Sequence, residues 1–437
     1  MNNDANTHLD EKSSFPVGGR HAHFILITCS LLYMINCVDR QVLSVVMEPM
    51  KAELGLSDAL LGTLQTVFLL SIAFLAYPIS FLMDRWSRKK AISLMALIWS
   101  IFTFVTGLGR SFLGVLIPRT LVAAGEAGFS AGGTALIGAA YPHHTRARAL
   151  GIFNATIPLG MGIGVILGGV LSAKYGWRAP FFIFAVPGII LGIVALFMKD
   201  YKTTEDLDET GKRKGFFKSA VSLFQIPTLR WTYLGNAMQN ITAYSFLTWA
   251  PAFVMRAQGV GEDKAGLLIG ILSLMAIVGA PLGGVIADLW QKKNPRGRVL
   301  TPVVTLLLTF VFYILAVYFE LTGIGLVFGF ALGLFLVMGL ASFAAITQDV
   351  VKPAQKGMAW GMNAFAMYVL GGGWGPLVVG LLSDSLNRPE DPAFGLKYAL
   401  IIASVGSILG SLFLLIASRH YQADMEKVAG YELKADE

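Results

Sequence analysis

Arg119 and Glu126 are the residues of this sequence most suited to chemistry, because they are ionisable groups inside an apolar stretch. That stretch, residues 113–129, reads LGVLIPRTLVAAGEAGF and is long enough to cross a bilayer as a helix. The two residues are seven positions apart, so their side chains project from one helix face, about 10 Å apart along the axis. A charge at bilayer depth costs at least roughly 2.5–3.5 kcal/mol, so neither side chain is expected to face lipid. The pair therefore indicates an ion or proton pathway on the inner face of a span.

The composition of the chain is typical of a helical membrane protein with many spans. Of its 437 residues, 55% are hydrophobic and 14% are charged, and the mean hydropathy is +0.64. Soluble proteins have about 25% charged residues. Residues 1–19 are polar, so we expect no signal peptide and a first span that serves as its own insertion signal. The composition thus predicts an all-α polytopic membrane protein.

Apolar windows of about 20 residues, the length that crosses a bilayer, divide the chain into six spans, a polar segment and six more spans. The first six lie near residues 23–47, 58–82, 90–109, 112–140, 146–173 and 179–198, and the second six near 230–255, 265–290, 299–319, 322–347, 357–383 and 397–418. We predict 12 transmembrane helices in two six-helix bundles, at 23–198 and 229–420, with a linker at 199–228 and tails at 1–22 and 421–437.

Lysine and arginine are concentrated in one set of loops. Twenty-four of the 34 lie on the side that carries both termini, and eight lie on the opposite side. Because cytoplasmic loops carry the excess of basic residues, we expect both termini to be cytoplasmic, in a multi-pass protein of the plasma (inner) membrane. The formal net charge of +7 then belongs to a basic cytoplasmic face and not to a nucleic-acid-binding surface.

The linker has an acidic first part and a basic second part. In the basic part, Phe216, Phe217, Val221 and Phe224 recur at helical spacing. This pattern predicts a short helix on the inner leaflet, with its basic residues toward anionic headgroups. A plain solvated linker is the alternative.

A short pattern recurs in the loops after the second and eighth spans. The first copy reads SFLMDRWSRKK from Ser80, and the second reads GVIADLWQKK from Gly284. Asp84 and Asp288 hold corresponding places in the two copies, and basic residues follow each. A parallel repeat of this kind is expected of transporters whose halves are related by an axis along the membrane normal.

These loops resemble the Gly-xxx-Asp-(Arg/Lys)-x-Gly-x-(Arg/Lys) signature of the major facilitator superfamily, and the chain is identified as a member of it. The first copy departs from the signature at Ser80 and Ser87, where the family has glycine, and the second departs at Leu289. The resemblance implies an alternating-access transporter, not an enzyme, with a gate that locks the cytoplasmic helix ends when the protein faces outward. The residues expected in this gate are Asp84, Arg85, Arg88, Arg146, Arg148 and Asp288, with Asp84 held by a helix dipole and by Arg146 or Arg148.

A narrower resemblance rests on three motifs in the first half. They are Asp39-Arg40 in span one, Arg119 with Gly125-Glu126-Ala127 in span four, and the Gly-Trp-Arg-x-Pro-Phe that begins at Gly176. Together these motifs resemble the spinster branch, whose animal members export sphingosine-1-phosphate and lysophospholipids. The resemblance implies a bacterial-type homologue that moves a lipid-like amphipathic anion.

Span five combines Pro158 with glycines at positions 160, 162, 164, 168 and 169. Glycines spaced four residues apart allow a second helix to approach closely. We therefore expect close helix packing along this span, and a bend at Pro158.

The ionisable residues of the first bundle form the expected site. Asp39 and Arg40 are adjacent, so their side chains point about 100° apart and cannot serve one site equally. Desolvation makes a carboxylate bind a proton more readily, and a nearby arginine opposes this. Glu126 is therefore the expected main proton carrier, and Asp39 is the second candidate. Arg119 is expected to alternate between Glu126 and the substrate headgroup, and Arg40 is also expected to bind the headgroup. A guanidinium suits this role because it stays charged and can hold phosphate or carboxylate with two hydrogen bonds. The alternative is a buried ion-pair network that only staples the helices together.

The second half contributes a surface of different character. Asn236, Gln239, Asn240 and Tyr244 recur at spacings of three and four along span seven, and we expect them to line the substrate cavity with Asn36 and Tyr368. No acid or base lies deep in the spans of this half, which are rich in Phe and Met. A cavity that is charged on one side and apolar on the other suits an amphipathic substrate.

The sequence thus predicts a secondary active transporter, proton-coupled or facilitative, that acts as a monomer. Its expected partners are an amphipathic lipid or organic anion, protons and membrane lipids. No cofactor, metal or nucleic acid is expected, because the sequence has no phosphate-binding glycine-rich loop and the pair His143-His144 lacks further ligands. Two alternatives stay open: transport of a small organic anion through the same Arg119, and a lipid scramblase or lipid sensor on the same scaffold.

Overall fold

The computed structural model describes residues 17–200 and 222–428, and nearly all of them are helical. The first half contains α1 (Gly19–Leu54), α2 (Asp58–Arg85), α3 (Arg88–Gly107), α4 (Phe112–Glu126), α5 (Phe129–Ala140), α6 (His143–Tyr175) and α7 (Ala179–Ala195). The second half contains α8 (Pro227–Gln258), α9 (Glu262–Leu274), α10 (Ala276–Lys293), α11 (Gly297–Tyr318), α12 (Ile324–Met338), α13 (Leu340–Asp349), α14 (Lys356–Met367), α15 (Gly375–Ser385) and α16 (Phe394–Glu426). A 3₁₀ turn at Pro353–Gln355 and a π-helical turn at Tyr368–Gly372 flank α14.

These helices form twelve rods within the described residues, because α4 with α5, α9 with α10, α12 with α13, and α14 with α15 each make one rod. Ten rods are long and apolar enough to cross a membrane. The other two are α7, which has 17 residues, and α8, which carries the polar stripe of span seven. The order is six rods, the linker region and six rods, as the hydropathy pattern predicts.

The last helix continues further than the sequence indicates. Its apolar window ends at 418, but α16 runs to Glu426, about two turns later. The extra turns are held by hydrogen bonds to other helices of the second half. Asp424 accepts a hydrogen bond of 2.8 Å from the Thr228 hydroxyl of α8, and the Tyr421 hydroxyl donates to Asp349 of α13 over 2.5 Å. Polar contacts of this kind leave no trace in a hydropathy profile.

Most of the linker lies outside the described residues, including Phe216, Phe217 and Val221 of the expected surface helix. Phe224 is described, and its ring packs against Tyr233 of α8 with the ring centroids 5.4 Å apart. This phenylalanine therefore belongs to the second half.

Glycines of α6 bring α1 and α6 together within the first half. A Cβ atom added at Gly160 would lie 2.5 Å from the Met34 carbonyl oxygen, and one at Gly164 would lie 2.7 Å from the Val38 carbonyl oxygen. Only glycine permits so close an approach. The contact fixes the part of α1 that carries Asp39.

A second glycine face of α6 meets α9 of the other half. A Cβ atom at Gly162 would lie 2.7 Å from Leu274, and Gly169 directly opposes the backbone of Glu262 and Gly266. We call the face of the molecule where α1 and α8 begin and α16 ends the terminal face, and the other the opposite face. Gly169 lies near the opposite face, so the halves touch there.

Candidate functional site

Asp39 and Arg119 form a buried ion pair between α1 and α4. The Arg119 Nη1 lies 3.5 Å from the Asp39 Oδ1, and the exposed fractions of the two side chains are 0% and 2%. Thr103 of α3 donates its hydroxyl hydrogen to the Asp39 Oδ2 over 2.7 Å. The guanidinium carbon of Arg119 also lies 4.5 Å from the centre of the Phe68 ring, a cation–π contact. Three helices besides α1 thus converge on one carboxylate and its partner.

Arg40 and Glu126 form a second and shorter ion pair beside the first. The Arg40 Nε lies 2.6 Å from the Glu126 Oε2. The Glu126 side chain is fully buried, whereas 24% of the Arg40 side chain is exposed. Glu126 also interacts electrostatically with Asp39 and Arg119, so the four residues make one network, which we call the charge cluster. Arg40 is its most accessible member.

Close helix packing sets the positions of these four side chains. Gly125 lies against the α3 backbone, and a Cβ atom there would lie 2.7 Å from the Trp99 nitrogen. This contact places Glu126 at the buried end of α4. Since Gly160 and Gly164 hold α1 against α6, the cluster lies between tightly packed helices on both sides.

Several buried polar atoms around the cluster have no hydrogen-bond partner among the described residues. They are the amide nitrogen and oxygen of Asn36, the Nε and Nη2 of Arg119, and the Oε1 of Glu126. Buried polar atoms are normally paired, so unused capacity of this kind marks a site that can take water, a proton or a different partner. Within residues 17–200 and 222–428, no three His, Cys, Asp or Glu side chains converge as metal ligands would. The two carboxylates of the cluster can bind and release protons, and its two guanidinium groups can exchange ion-pair partners.

A cavity of about 580 Å³ lies between α6 and the second half. Its wall from α6 includes Asn154, Pro158 and Met161, and its wall from the second half includes Asn236, Gln239, Asn240, Tyr244, Leu272, Ser273, Ile277, Leu336, Phe343 and Met367. Most of these side chains are apolar. The volume lies within the range of about 300–1,000 Å³ found for ligand pockets.

Hydrogen bonds within the second half hold the polar side chains that α8 contributes to the cavity wall. The Asn236 Nδ2 donates to the Asn363 Oδ1 over 3.1 Å, and the Asn240 Nδ2 donates to the Asn236 Oδ1 over 2.9 Å. The Gln239 Nε2 donates to the Leu336 carbonyl oxygen over 2.9 Å. The stripe on α8 is thus a hydrogen-bonded polar strip in a largely apolar wall.

Two tyrosines connect the cavity to the charge cluster. The hydroxyl oxygens of Tyr244 and Tyr368 lie 3.2 Å apart, and Tyr244 lines the cavity. Both tyrosines interact electrostatically with Arg40. The pair therefore links the cavity wall to the charge cluster.

The sequence-predicted site residues thus fall into two groups. Asp39, Arg40, Arg119 and Glu126 lie together in the charge cluster, and Asn236, Gln239, Asn240 and Tyr244 lie together in the cavity wall. Asn36 is fully buried beside the cluster, and neither it nor Tyr368 is among the residues that line the cavity. Thr103 and Phe68 were not predicted, because a hydroxyl and a ring in an apolar helix carry no sequence signal of their own.

The residues of the expected gate are spread over the terminal face. The side chains of Asp84 and Arg85 lie outside the described part of the structure. The expected pairing of Asp84 with Arg146 or Arg148 therefore lies outside it as well. Arg88 is buried at the start of α3, Arg146 is half-buried, and Arg148 is exposed. The last member, Asp288, pairs within its own half: its Oδ1 lies 2.9 Å from the Arg298 Nη2. Arg298 also lies 3.0 Å from Asp349.

Comparisons with known proteins agree with this architecture. The model of the Major Facilitator Superfamily matches residues 29–376. The chain is 25% identical to protein spinster homolog 1 of Xenopus tropicalis, over 96% of this chain and 85% of that protein. It is 26% identical to the sphingosine-1-phosphate transporter SPNS2 of Danio rerio, over 91% of this chain and 84% of that protein.

A solved structure has the same fold. The crystal structure of a bacterial homolog to the human lysosomal transporter spinster, in an inward-facing and unoccupied conformation, superposes with a TM-score of 0.82. It covers 93% of this chain and 99% of that chain at 24% identity. The prediction of twelve spans in two six-helix bundles is confirmed. The family model covers most of the chain, and this multi-pass membrane protein therefore belongs to the major facilitator superfamily, whose members are transporters and not enzymes.

Proposed function

We propose that this protein is a proton-coupled secondary transporter of a lipid-like amphipathic anion, such as a lysophospholipid or a sphingosine phosphate. The observation that carries the proposal is the position of a two-acid, two-arginine cluster beside a largely apolar cavity of about 580 Å³. The sphingosine-1-phosphate transporter named above supports the substrate class.

Arg40 is the proposed binding residue for the anionic headgroup. It is the cluster member that solvent can reach, with 24% of its side chain exposed, and it interacts electrostatically with Tyr368 and with Tyr244, which lines the cavity. Arg119 is enclosed by Asp39 and Phe68, so it would bind the headgroup only after a change of partners. A headgroup that takes Arg40 also removes the partner of Glu126.

The apolar wall of the cavity is the proposed binding site for the substrate chain. Leu272, Ile277, Leu336 and Phe343 lie in this wall, and burial of each methylene group against such a surface contributes about 0.8 kcal/mol. The polar strip on α8 gives hydrogen-bond partners near the headgroup. A small soluble anion would use Arg40 and leave this wall without a function.

Proton coupling follows from the exchange of partners at Arg40. While Glu126 is paired with Arg40 over 2.6 Å, the ion pair favours its charged form. When an anion takes Arg40, Glu126 is left charged in an apolar site, and this favours uptake of a proton. Asp39 remains paired with Arg119 and is the second proposed proton site. Substrate binding and protonation thus favour each other.

The proposed location is the plasma (inner) membrane, with the terminal face in the cytoplasm and the protein as a monomer. The excess of Lys and Arg in the loops of that face supports this orientation. The proposed cytoplasmic gate comprises the residues named from the family signature, with Asp288 tied to Arg298 in the second half.

Proton movement in proteoliposomes tests the proposal directly. We expect lysophospholipid or sphingosine-1-phosphate to trigger a proton flux in the unaltered protein and none in Glu126→Gln. Arg40→Gln is expected to abolish substrate-triggered flux as well, because the headgroup site is lost. The matched control is Glu320→Gln, which removes an acid that pairs with Lys397 outside the cluster over 2.8 Å. It should leave the flux unchanged.

The other outcomes separate the alternatives. Flux that responds to a small carboxylic acid but not to these lipids would favour the organic-anion transporter. Lipid transfer that is the same in Glu126→Gln as in the unaltered protein would favour a scramblase, since a scramblase has no use for a proton carrier. Lipid binding without any transfer would favour a lipid sensor.

A further inference from the structure

A second charged network lies at the opposite face, far along α1 from the charge cluster. Arg256, in the last turn of α8, lies 2.5 Å from the Glu48 carboxylate of α1 and 2.6 Å from the Asp58 carboxylate of α2. Only 9% of the Arg256 side chain and 2% of the Asp58 side chain are exposed. Both pairs join the second half of the molecule to the first.

Asp384 makes a different contact across the same boundary. Its carboxylate accepts hydrogen bonds from the backbone nitrogens of Asp58 (3.0 Å) and Ala59 (2.8 Å), the first residues of α2. Ser57, the residue before this helix, satisfies only the Leu60 nitrogen. The first turn of α2 is therefore capped in part by an acid of the other half.

This cap is favourable for α2 and unfavourable for the helix that supplies it. An acid stabilises a helix N-terminus and destabilises a C-terminus, and Asp384 lies in the last turn of α15. Its charge is therefore compensated at α2 and not within its own helix. Separation of the halves at this face would leave Asp384 at the wrong end of a helix and two backbone donors without an acceptor.

The interface around these contacts leaves no room between the halves. The Ser383 hydroxyl donates to Asp58 over 2.6 Å, and Gly380 opposes the Asp58 backbone. Deeper in the molecule, the Leu377 nitrogen donates to the Thr66 hydroxyl over 3.3 Å. Toward the terminal face, by contrast, the cavity separates α6 from the second half.

We propose that Glu48, Asp58, Arg256 and Asp384 form a latch that holds the molecule closed at the opposite face, and that opening there requires Asp384 to release the first turn of α2. The latch acts on the conformational equilibrium of the two halves. It therefore stands apart from the identity of the substrate and from proton coupling.

Thiol labelling of two engineered cysteines tests the latch without any substrate. In a background with Cys29→Ala and Cys37→Ala, which removes two buried thiols, Thr66→Cys reports on the closed interface and Ala155→Cys reports on the cavity. We expect Asp384→Asn to speed maleimide labelling of Thr66→Cys by about tenfold, because loss of a charged hydrogen-bonding group shifts a two-state equilibrium by about that factor. Labelling of Ala155→Cys should slow, since the cavity closes as the latch opens.

The reciprocal change separates opening from unfolding. Unfolding would speed both reactions, so a joint increase would overturn the proposal, and so would unchanged rates in a folded, monodisperse Asp384→Asn protein. The control is Glu53→Gln, which removes an acid at the same face that pairs with Arg178 inside the first half over 2.7 Å. It should change neither rate.

A second variant decides the matter if Asp384→Asn does not fold. Arg256→Lys keeps the charge but loses the forked contact with two carboxylates. We expect the same reciprocal change in labelling at a smaller size, and equal rates in this variant and its parent would overturn the proposal.

Discussion

At the scale of single residues, the two arginines of the charge cluster differ in what surrounds them. Arg119 is fully buried, paired with Asp39 and covered by the Phe68 ring, whereas 24% of the Arg40 side chain is exposed. A buried ion pair is costly to break, because removal of one partner leaves an uncompensated charge. We therefore expect Arg119 to contribute more to the stability of the fold than Arg40 does.

Removal of the Arg119 charge should destabilise the protein through Asp39. We expect Arg119→Gln to lower the free energy of unfolding by about 3–5 kcal/mol, the cost of an unpaired buried charge. The double variant Arg119→Gln with Asp39→Asn should recover most of that loss, because the Asp39 charge is then no longer left buried without a partner. Thermal unfolding of the purified proteins in detergent measures both effects. Equal stability of the single and double variants would contradict the pairing.

At the scale of helices, α6 is the element that arranges the rest. One glycine face holds α1, through Gly160 and Gly164, and the other meets α9 of the second half, through Gly162 and Gly169. The same helix also supplies Asn154, Pro158 and Met161 to the cavity wall. A shift of α6 would therefore change the geometry of the charge cluster, of the boundary between the halves and of the cavity.

Two glycines of α6 offer a matched test of this role. We expect Gly164→Ala to destabilise the protein by about 1–3 kcal/mol, as overpacking does, because the new Cβ would lie 2.7 Å from the Val38 carbonyl oxygen. Gly151→Ala should be neutral or stabilising by up to about 1 kcal/mol, since nothing lies within 4 Å of its added Cβ. Thermal unfolding measures the difference. Similar losses for both would show that the effect is not one of packing.

The fold could be predicted from the sequence because each signal for it lies within a short segment of the chain. These signals are the length of the apolar windows, the charge of the loops and the repeated loop pattern. The partners of individual side chains could not be predicted in the same way. The sequence placed Arg119 and Glu126 on one face of a span and separated Asp39 from Arg40 by about 100°, but the pairing of Arg119 with Asp39 and of Arg40 with Glu126 depends on how α1 and α4 are rotated about their axes. The contacts that join Glu48, Asp58, Arg256 and Asp384 were not predicted either, because they connect helices that are far apart in the chain.

At the scale of the whole molecule, the two halves touch toward the opposite face and are separated by the cavity toward the terminal face. The contact between α6 and α9 is made at glycines of both helices. Gly169 faces the backbone of Glu262 and Gly266, whereas Gly162 faces the Leu274 side chain and Gly270 faces the Ile166 side chain. A side chain added at one of these glycines would therefore push the halves apart.

A side chain placed in this contact should bias the conformation. Gly169→Ala would direct a Cβ at the Glu262 backbone, so we expect the halves to separate at the opposite face and Thr66→Cys to be labelled faster by maleimide. Gly151→Ala, on the same helix with nothing within 4 Å of its Cβ, is the control and should leave the rate unchanged. A slower reaction in Gly169→Ala would contradict the assigned position of this contact.

The charge cluster also has an electrical consequence. Its two acids and two arginines sum to zero, and the described part of the cavity wall adds only neutral side chains. A membrane potential does about 2.3 kcal/mol of work per 100 mV on each elementary charge that crosses, and on a neutral cluster it does none. The empty protein would then switch between its two conformations at a rate that the membrane voltage does not alter. A singly charged anion that travels with one proton would cross without a net charge and so without a current. A doubly charged anion with one proton would carry a net negative charge, so the membrane potential would act on its transport.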